Sequence, residues 1–328
     1  MKPQVFIRAD ASPKIGLGHL TRCSALAQML YEIYDVIFFC KAIPDSSVAE
    51  INTIGITIIK IKHETDFFQA LKPGCIVVLD GYDFNLSYQS QIKERGCHLV
   101  FIDDFCQRDL IADLVINHAP LIGRDKYHVS PATKFALGLE YALLRPDFLK
   151  LAQGEPKILD KDEMFVCFGG ADYKNLTRTT LNILSKYPAF KKINVVTGPA
   201  YLYIAELSML ISGDVRILHH HSVKAAEMRS LISRCSIAVV PASGILYEVS
   251  AAGCKIVSGY YTENQLGIYE GFRSLNGFAD AIDFNEHALT KALDEIESFI
   301  PVRLIDGNSP SRIVDKINSL YHVDSNFS

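Results

Sequence analysis

Tryptophan is absent from the 328 residues, and the sequence also lacks a CxxC pair, an uncharged apolar run of eighteen residues and a marked excess of either charge. Each absence excludes something. Without a long apolar run no bilayer-crossing helix is expected, and MKPQVFIRAD reaches Arg8 and Asp10 too early to be a signal peptide. The 33 Lys and Arg against 37 Asp and Glu leave a net charge of −4, which argues against a nucleic-acid partner. The eight cysteines are scattered, mostly inside apolar runs, and read as reduced core thiols of a cytoplasmic protein, not as a zinc site or disulfide frame. With 49% hydrophobic and 21% charged residues, the chain has the composition of a folded globule.

At about twice the common domain length, the sequence divides in two. In the first half short β-branched runs recur: QVFIR, DVIFFC, GITIIKI, CIVVLD, HLVFIDD, DLVIN and TKFALG. Between them Leu20, Cys23, Ala27 and Leu30 keep helical spacing, and a more polar helix is expected over 86–95. Such alternation predicts a parallel sheet with helices on both faces. The stretch 151–163, LAQGEPKILDKDE, mixes Gly, Pro and charge without an apolar period and reads as a linker. A second series follows, MFVCFG, KINVVTG, VRILH, SIAVVPA and CKIVSG, with helices expected over 175–187, 223–234, 243–252 and 285–299. SPSRIVDKINSLYH reads as a terminal helix opened by Ser309, with Ile313, Ile317 and Leu320 on one face. The expected fold is α/β: two Rossmann-like, doubly wound domains, 1–150 and 164–328, facing a cleft, with the terminal helix counted in the second. Ligands of such sheets bind beyond the carboxyl ends of the strands, so chemistry is sought in those loops.

In IRADASPKIGLGHLTRCSALAQML, residues 7–30, Gly16 and Gly18 separate a strand from a helix whose free N–H groups favour an anion. The dinucleotide fingerprint fails at Thr21, and no Gly-Lys-Ser/Thr follows to make a P-loop. His19 lies in the first helical turn, where the helix dipole disfavours imidazolium and keeps a neutral base available; packing or capping is its plainer role. In FGGADYKN, Gly169 and Gly170 open space, while Asp172 or Asn175 can cap the next helix. In VVPASGILYEVSAAG, Ser243 and Gly244 offer hydroxyl and backbone donors suited to a diphosphate, with Glu248 in reach of a ribose. SGYYTENQ adds Tyr260, Asn264 and Gln265. In the first half Asp80, Tyr82, Asp103 and Asp104 end their strands, joined by Asn117 and His118 from VINHA. Their acidic pair suggests a divalent ion, but without a clear third carboxylate no metal is expected. His219 to His221 read as a polar loop.

Taken together, RADASxxIGxGHxxRCxxLA, FGGADxxN, PASxxxxE and the late NQ pair resemble one family, the UDP-sugar hydrolases of pseudaminic acid biosynthesis. LLRPDF and IDGNSPSRIV extend the match over most of the chain. That family acts on UDP-2,4-diacetamido-2,4,6-trideoxy-β-L-altrose and is similar to the glycosyltransferase that makes lipid II, with a GT-B arrangement of two domains. The resemblance implies that His19 activates water for attack on the anomeric carbon, breaking C1–O with inversion and releasing UDP, with Tyr82 as the second catalytic residue on the sugar side. It groups Asp10, Gly16, Gly18, Arg22, Asn117, Gly170 and Asp172 with the substrate. Ser243 and Gly244 would hold the diphosphate, Glu248 the ribose, and Asn264 and Gln265 the diphosphate or sugar. The implied partners are a UDP-sugar and water, with no cofactor, nucleic acid or membrane, and the expected state is a monomer. Three other readings compete: a GT-B glycosyltransferase, an inactive nucleotide-sugar binding module, and a 2-epimerase that releases UDP. The final helix is a departure from the shortest members of the family, and crossing back to brace the first domain is the alternative to its place in the second.

Overall fold

Residues 76–80, IVVLD, and 235–241, CSIAVVP, are buried throughout, as strands covered on both faces must be, and each lies inside a parallel sheet. The computed structural model describes residues 2–12, 15–106, 109–154 and 160–321. Contacts divide the chain into one unit of Met1–Pro146 with Asn308–Ser328 and another of Asp147–Gly307.

The first unit contains β1 (Gln4–Ala9), α1 (Gly18–Leu30), β2 (Asp35–Cys40), α2 (Asp45–Thr53), β3 (Thr57–Lys60), α3 (Glu64–Ala70), β4 (Ile76–Asp80), α4 (Leu86–Lys93), β5 (His98–Ile102), β6 (Leu114–Asn117) and β7 (Lys134–Leu137). Its sheet runs β3-β2-β1-β4-β5-β6-β7, so the strand order reverses between β1 and β4. That reversal sets the loops after β1 and β4 side by side at the carboxyl edge.

The second unit contains α5 (Pro146–Gln153, entered at the boundary), β8 (Asp160–Val166), α6 (Leu176–Leu184), β9 (Lys192–Thr197), α7 (Ile204–Gly213), β10 (Ile217–His221), α8 (Ala225–Ile232), β11 (Cys235–Pro241), α9 (Gly244–Ala251), β12 (Lys255–Gly259), α10 (Leu266–Ser274), β13 (Ala279–Ile282) and α11 (Glu286–Glu295). Its sheet runs β10-β9-β8-β11-β12-β13, with the equivalent reversal between β8 and β11.

All twelve expected strand runs form strands. The thirteenth, β13, is the four-residue ADAI, which carries no β-branched run to announce it. The three histidines expected in a loop instead end edge strand β10, where His219 and His221 both meet the Thr197 hydroxyl, at 2.8 and 3.0 Å. The expected boundaries also shift. Residues 151–153 of the supposed linker finish α5 and 160–163 begin β8, while 155–159 lie outside the described residues. The terminal helix, α12 (Ser309–Tyr321), packs on the first unit instead of completing the second. Its apolar face, Ile313, Ile317 and Leu320, is buried; Ser309 Oγ donates to Ala142 O at 2.8 Å and Lys134 Nζ to Ser319 O at 2.6 Å. Among the described residues, no helix is long and apolar enough to cross a membrane. The eight cysteines are free thiols, seven of them buried.

Candidate active site

His19 is the second residue of α1, at the carboxyl edge of β1. Gly16, at φ +84°, makes the turn that admits this helix, its N–H donating to Ser12 O at 2.8 Å. A Cβ on Gly18 would meet nothing within 4 Å, so the space before the helix is open. Among the described residues no side chain caps α1, which leaves its first-turn N–H groups to a ligand or water.

The imidazole of His19 is buried, and its Nδ1 lies 2.7 Å from Asp80 Oδ1 at the end of β4. Arg22, one turn along α1, grips the same carboxylate: Nε donates to Oδ2 and Nη2 to Oδ1, both at 2.6 Å. Arg22 also holds Asp104, with Nη1 at 2.5 Å from Oδ1 and Nη2 at 3.0 Å from Oδ2. Both hydrogens of Nη2 therefore point at carboxylates, and its 3.1 Å contact with His19 Nδ1 needs no hydrogen bond. With Asp80 Oδ1 as its acceptor, Nδ1 carries a proton, and in the neutral ring the lone pair then lies on Nε2.

Burial alone pushes the Asp80 carboxyl up, but the Arg22 charge, with its hydrogen bonds and then that of His19, holds it below the usual range. Asp104 is likewise lowered, burial again being outweighed by Arg22. Of the four acidic and aromatic residues that end these strands, Asp80 and Asp104 are joined by the Arg22 guanidinium. Arg22, expected at the substrate, binds these two carboxylates.

Tyr82 packs edge-on to His19 with centroids 4.8 Å apart, and its hydroxyl lies 3.3 Å from Asp104 Oδ2. Burial and the Asp104 charge push the phenol up to about 12. A cavity of about 360 Å3 opens here, lined by His19, Asp80 and Tyr82 together with Arg8, Lys41 and Glu64. Asp10, also on its wall, accepts from Lys41 N, Ala42 N and Arg8 Nη2 at 2.6, 3.0 and 2.8 Å. Asn117 is occupied within the protein, donating to Tyr127 Oη at 3.0 Å and accepting from Ala119 N at 2.9 Å.

In the second unit, Asp172 caps α6, its two oxygens accepting from Leu176 N and Thr177 N at 2.8 Å each. Asn175, the other capping choice, is left-handed at φ 52° and makes no capping bond. Gly169 has φ +86°, and a Cβ on Gly170 would meet nothing. The close approach belongs to Gly198, whose Cβ would come 2.4 Å from Gly170 Cα. Ser243 opens α9 without capping it by its side chain, Gly244 is exposed and Glu248 is buried. Asn264 is exposed, whereas Gln265 is buried and accepts from Tyr261 N at 2.9 Å.

The chain is 26% identical over 284 residues to an uncharacterized protein of Methanocaldococcus jannaschii, covering 82% of this chain but 58% of that one, so it spans little more than half of that relative. It is 25% identical over 271 residues to the UDP-2,4-diacetamido-2,4,6-trideoxy-beta-L-altropyranose hydrolase of Campylobacter jejuni, covering 80% of this chain and 93% of that protein. No family model matches. Similar solved structures include MurG of Acinetobacter baumannii (11% identity, TM-score 0.63, 97% of this chain and 100% of that) and the calicheamicin glycosyltransferase CalG4 (12%, 0.67, 100% of both). The UDP-GlcNAc 2-epimerase of M. jannaschii has the same relation (13%, 0.62, 97% and 100%).

The fold is GT-B.

Within that fold, the sequence reading placed His19 and Tyr82 together but did not join Asp80 to His19 and overlooked Glu64 and Lys41. The available signal for Asp80 was its place at the end of a fully buried strand. Glu64 and Lys41 stand in no glycine motif.

Proposed function

We propose that the protein is a nucleotide-sugar hydrolase that releases UDP from UDP-2,4-diacetamido-2,4,6-trideoxy-β-L-altrose or a close UDP-linked diamino sugar, serving pseudaminic acid biosynthesis. The observation that carries this reading is the hydrogen bond from His19 to Asp80 beside an open cavity. Asp80 orients the ring, and Nε2 takes a proton from water as the water oxygen attacks the anomeric carbon. The C1–O electron pair leaves with UDP, and the configuration inverts. The departing diphosphate needs hydrogen-bond donors as its charge develops, and within the second unit Ser243 and Gly244 at the start of α9 are donors of that kind. The likeness to the C. jejuni hydrolase supports the substrate.

The test is UDP release in ¹⁸O-labelled water with EDTA and no acceptor, followed by phosphorus NMR. Label in the sugar alone supports the scheme, and label in UDP overturns it. Release only after an acceptor is added makes the protein a glycosyltransferase. Deuterium at C2 of the product formed in D2O indicates the 2-epimerase route, because epimerisation must remove that proton.

A further inference from the structure

The cavity beside His19 holds a second carboxylate that the hydrolytic scheme leaves unused. Glu64 is the first residue of α3, and its Oε2 accepts from Tyr88 Oη at 2.7 Å and from Arg8 Nε at 3.2 Å. Its Oε1 accepts from Arg8 Nη2 at 2.9 Å and has otherwise a long contact, 3.5 Å, with Lys41 Nζ. A carboxylate offers about four lone-pair positions, so one on Oε1 remains for a further donor. The Glu64 side chain is 30% exposed, against 1% for Arg8, and both line the cavity. Although burial pushes the Glu64 carboxyl up, hydrogen bonds from Arg8 and Tyr88 hold it below its ordinary value, so it is an acceptor.

Its neighbours narrow what that acceptor can meet. Arg8 places Nε and Nη2 on Glu64, Nη2 also on Asp10, and Nη1 3.4 Å from Phe39 O. Four of the five hydrogens of the buried guanidinium are therefore directed at protein acceptors, and an acidic sugar would approach the Glu64 charge. Lys41, 46% exposed, keeps donors for a neutral acceptor such as an amide carbonyl.

We propose that Glu64, flanked by Lys41, is the specificity-determining residue for the sugar: Oε1 accepts from an N–H or O–H of an uncharged sugar, and Lys41 donates to the acceptor beside it. This rests on the functional reading above for placing a UDP-sugar in the cavity. Such a contact is made in the bound ground state, so it governs affinity more than turnover.

The test compares binding of the UDP-diacetamido sugar named above with binding of UDP, by calorimetry in a His19→Asn background that prevents turnover. Glu64→Gln keeps the shape and is expected to weaken the UDP-sugar about 10- to 100-fold while leaving UDP unchanged. With His19 intact, the same variant is expected to raise KM far more than it lowers kcat. Lys41→Met, at an exposed position, gives a smaller loss in the same direction and serves if Glu64→Gln does not fold. Unchanged UDP-sugar to UDP affinity ratios in the folded variants overturn the proposal. So does a parent protein that binds the UDP-sugar no more tightly than UDP. A protein with His19 intact that never hydrolyses the UDP-sugar, although the His19→Asn parent binds it, sinks the hydrolase reading alone, because the binding comparison needs no turnover.

Discussion

Asp80 Oδ1 lies 2.7 Å from His19 Nδ1 and accepts from Arg22 Nη2 at 2.6 Å, so one buried carboxylate ties an imidazole to a guanidinium. The imidazole is oriented on one side while the charge that orients it is neutralised on the other. Asp104 extends the arrangement from Arg22 to the hydroxyl of Tyr82.

Replacing the base and replacing its orienting group should therefore give different signatures. His19→Asn is expected to lower UDP release about 100-fold or more with UDP binding retained, the range for loss of a general base. Asp80→Asn should also lower turnover, and should in addition destabilise the first unit by about 3–5 kcal/mol because a buried charge pair is broken. Steady-state rates and urea melts check both; full turnover in Asp80→Asn would remove the orienting role.

His118 gives a pH dependence. Burial first, and then the Arg22 charge, push its imidazole down to about 4, and Leu143 N donates to its Nδ1 at 3.0 Å. Between about pH 6.5 and 4 the unfolded chain binds a proton that the folded one refuses, so this residue makes stability fall as pH falls. Below the folded value the loss is complete. His118→Gln should flatten the stability profile between pH 6.5 and 4 in urea titrations; an unchanged slope contradicts the assignment.

Gly198→Ala tests the backbone contact in the second unit. The added Cβ would lie 2.4 Å from Gly170 Cα and 2.6 Å from its carbonyl oxygen, and backbone cannot move aside as a side chain would. A loss of about 1–3 kcal/mol is expected, with weaker UDP binding if the turn shifts. Thermal melts and UDP calorimetry read the two effects separately.

Ile317→Ala tests the return of the terminal helix. Ile317 is fully buried on the face of α12 that packs on the first unit. Removing its side chain should cost about 2–5 kcal/mol. Hydrogen exchange should locate the loss around β7 and α1, which α12 contacts, and loss confined to residues 147–307 would contradict the packing.

Much of the fold was legible because parallel strands are local events: a run such as CIVVLD is apolar on both faces wherever it lies. Helices α2, α3, α5, α7 and α10 were not legible. DSSVAEINT has a single buried apolar side chain, Ile51, and ETDFFQA is too short to show a period, its start being held by Asp66, whose Oδ2 accepts from His63 N at 3.0 Å. The α6 cap was legible only as a choice between Asp172 and Asn175, since the backbone conformation that decides it is not written in residue type.

By itself the sequence determined the strand and helix alternation, the glycine turn before His19 and the histidine's place in the first turn of α1, all consequences of short-range periodicity and backbone sterics. Tertiary structure alone decided that Asp80, 61 residues from His19, would be its partner. It did so by pairing β1 with β4, which brings the carboxyl ends of two strands distant in sequence to one edge. It also turned Arg22 toward carboxylates, left Glu64 an open lone pair, and carried α12 back to the first unit. Those outcomes depend on which charges and apolar faces are buried together, and burial is a property of the assembled chain.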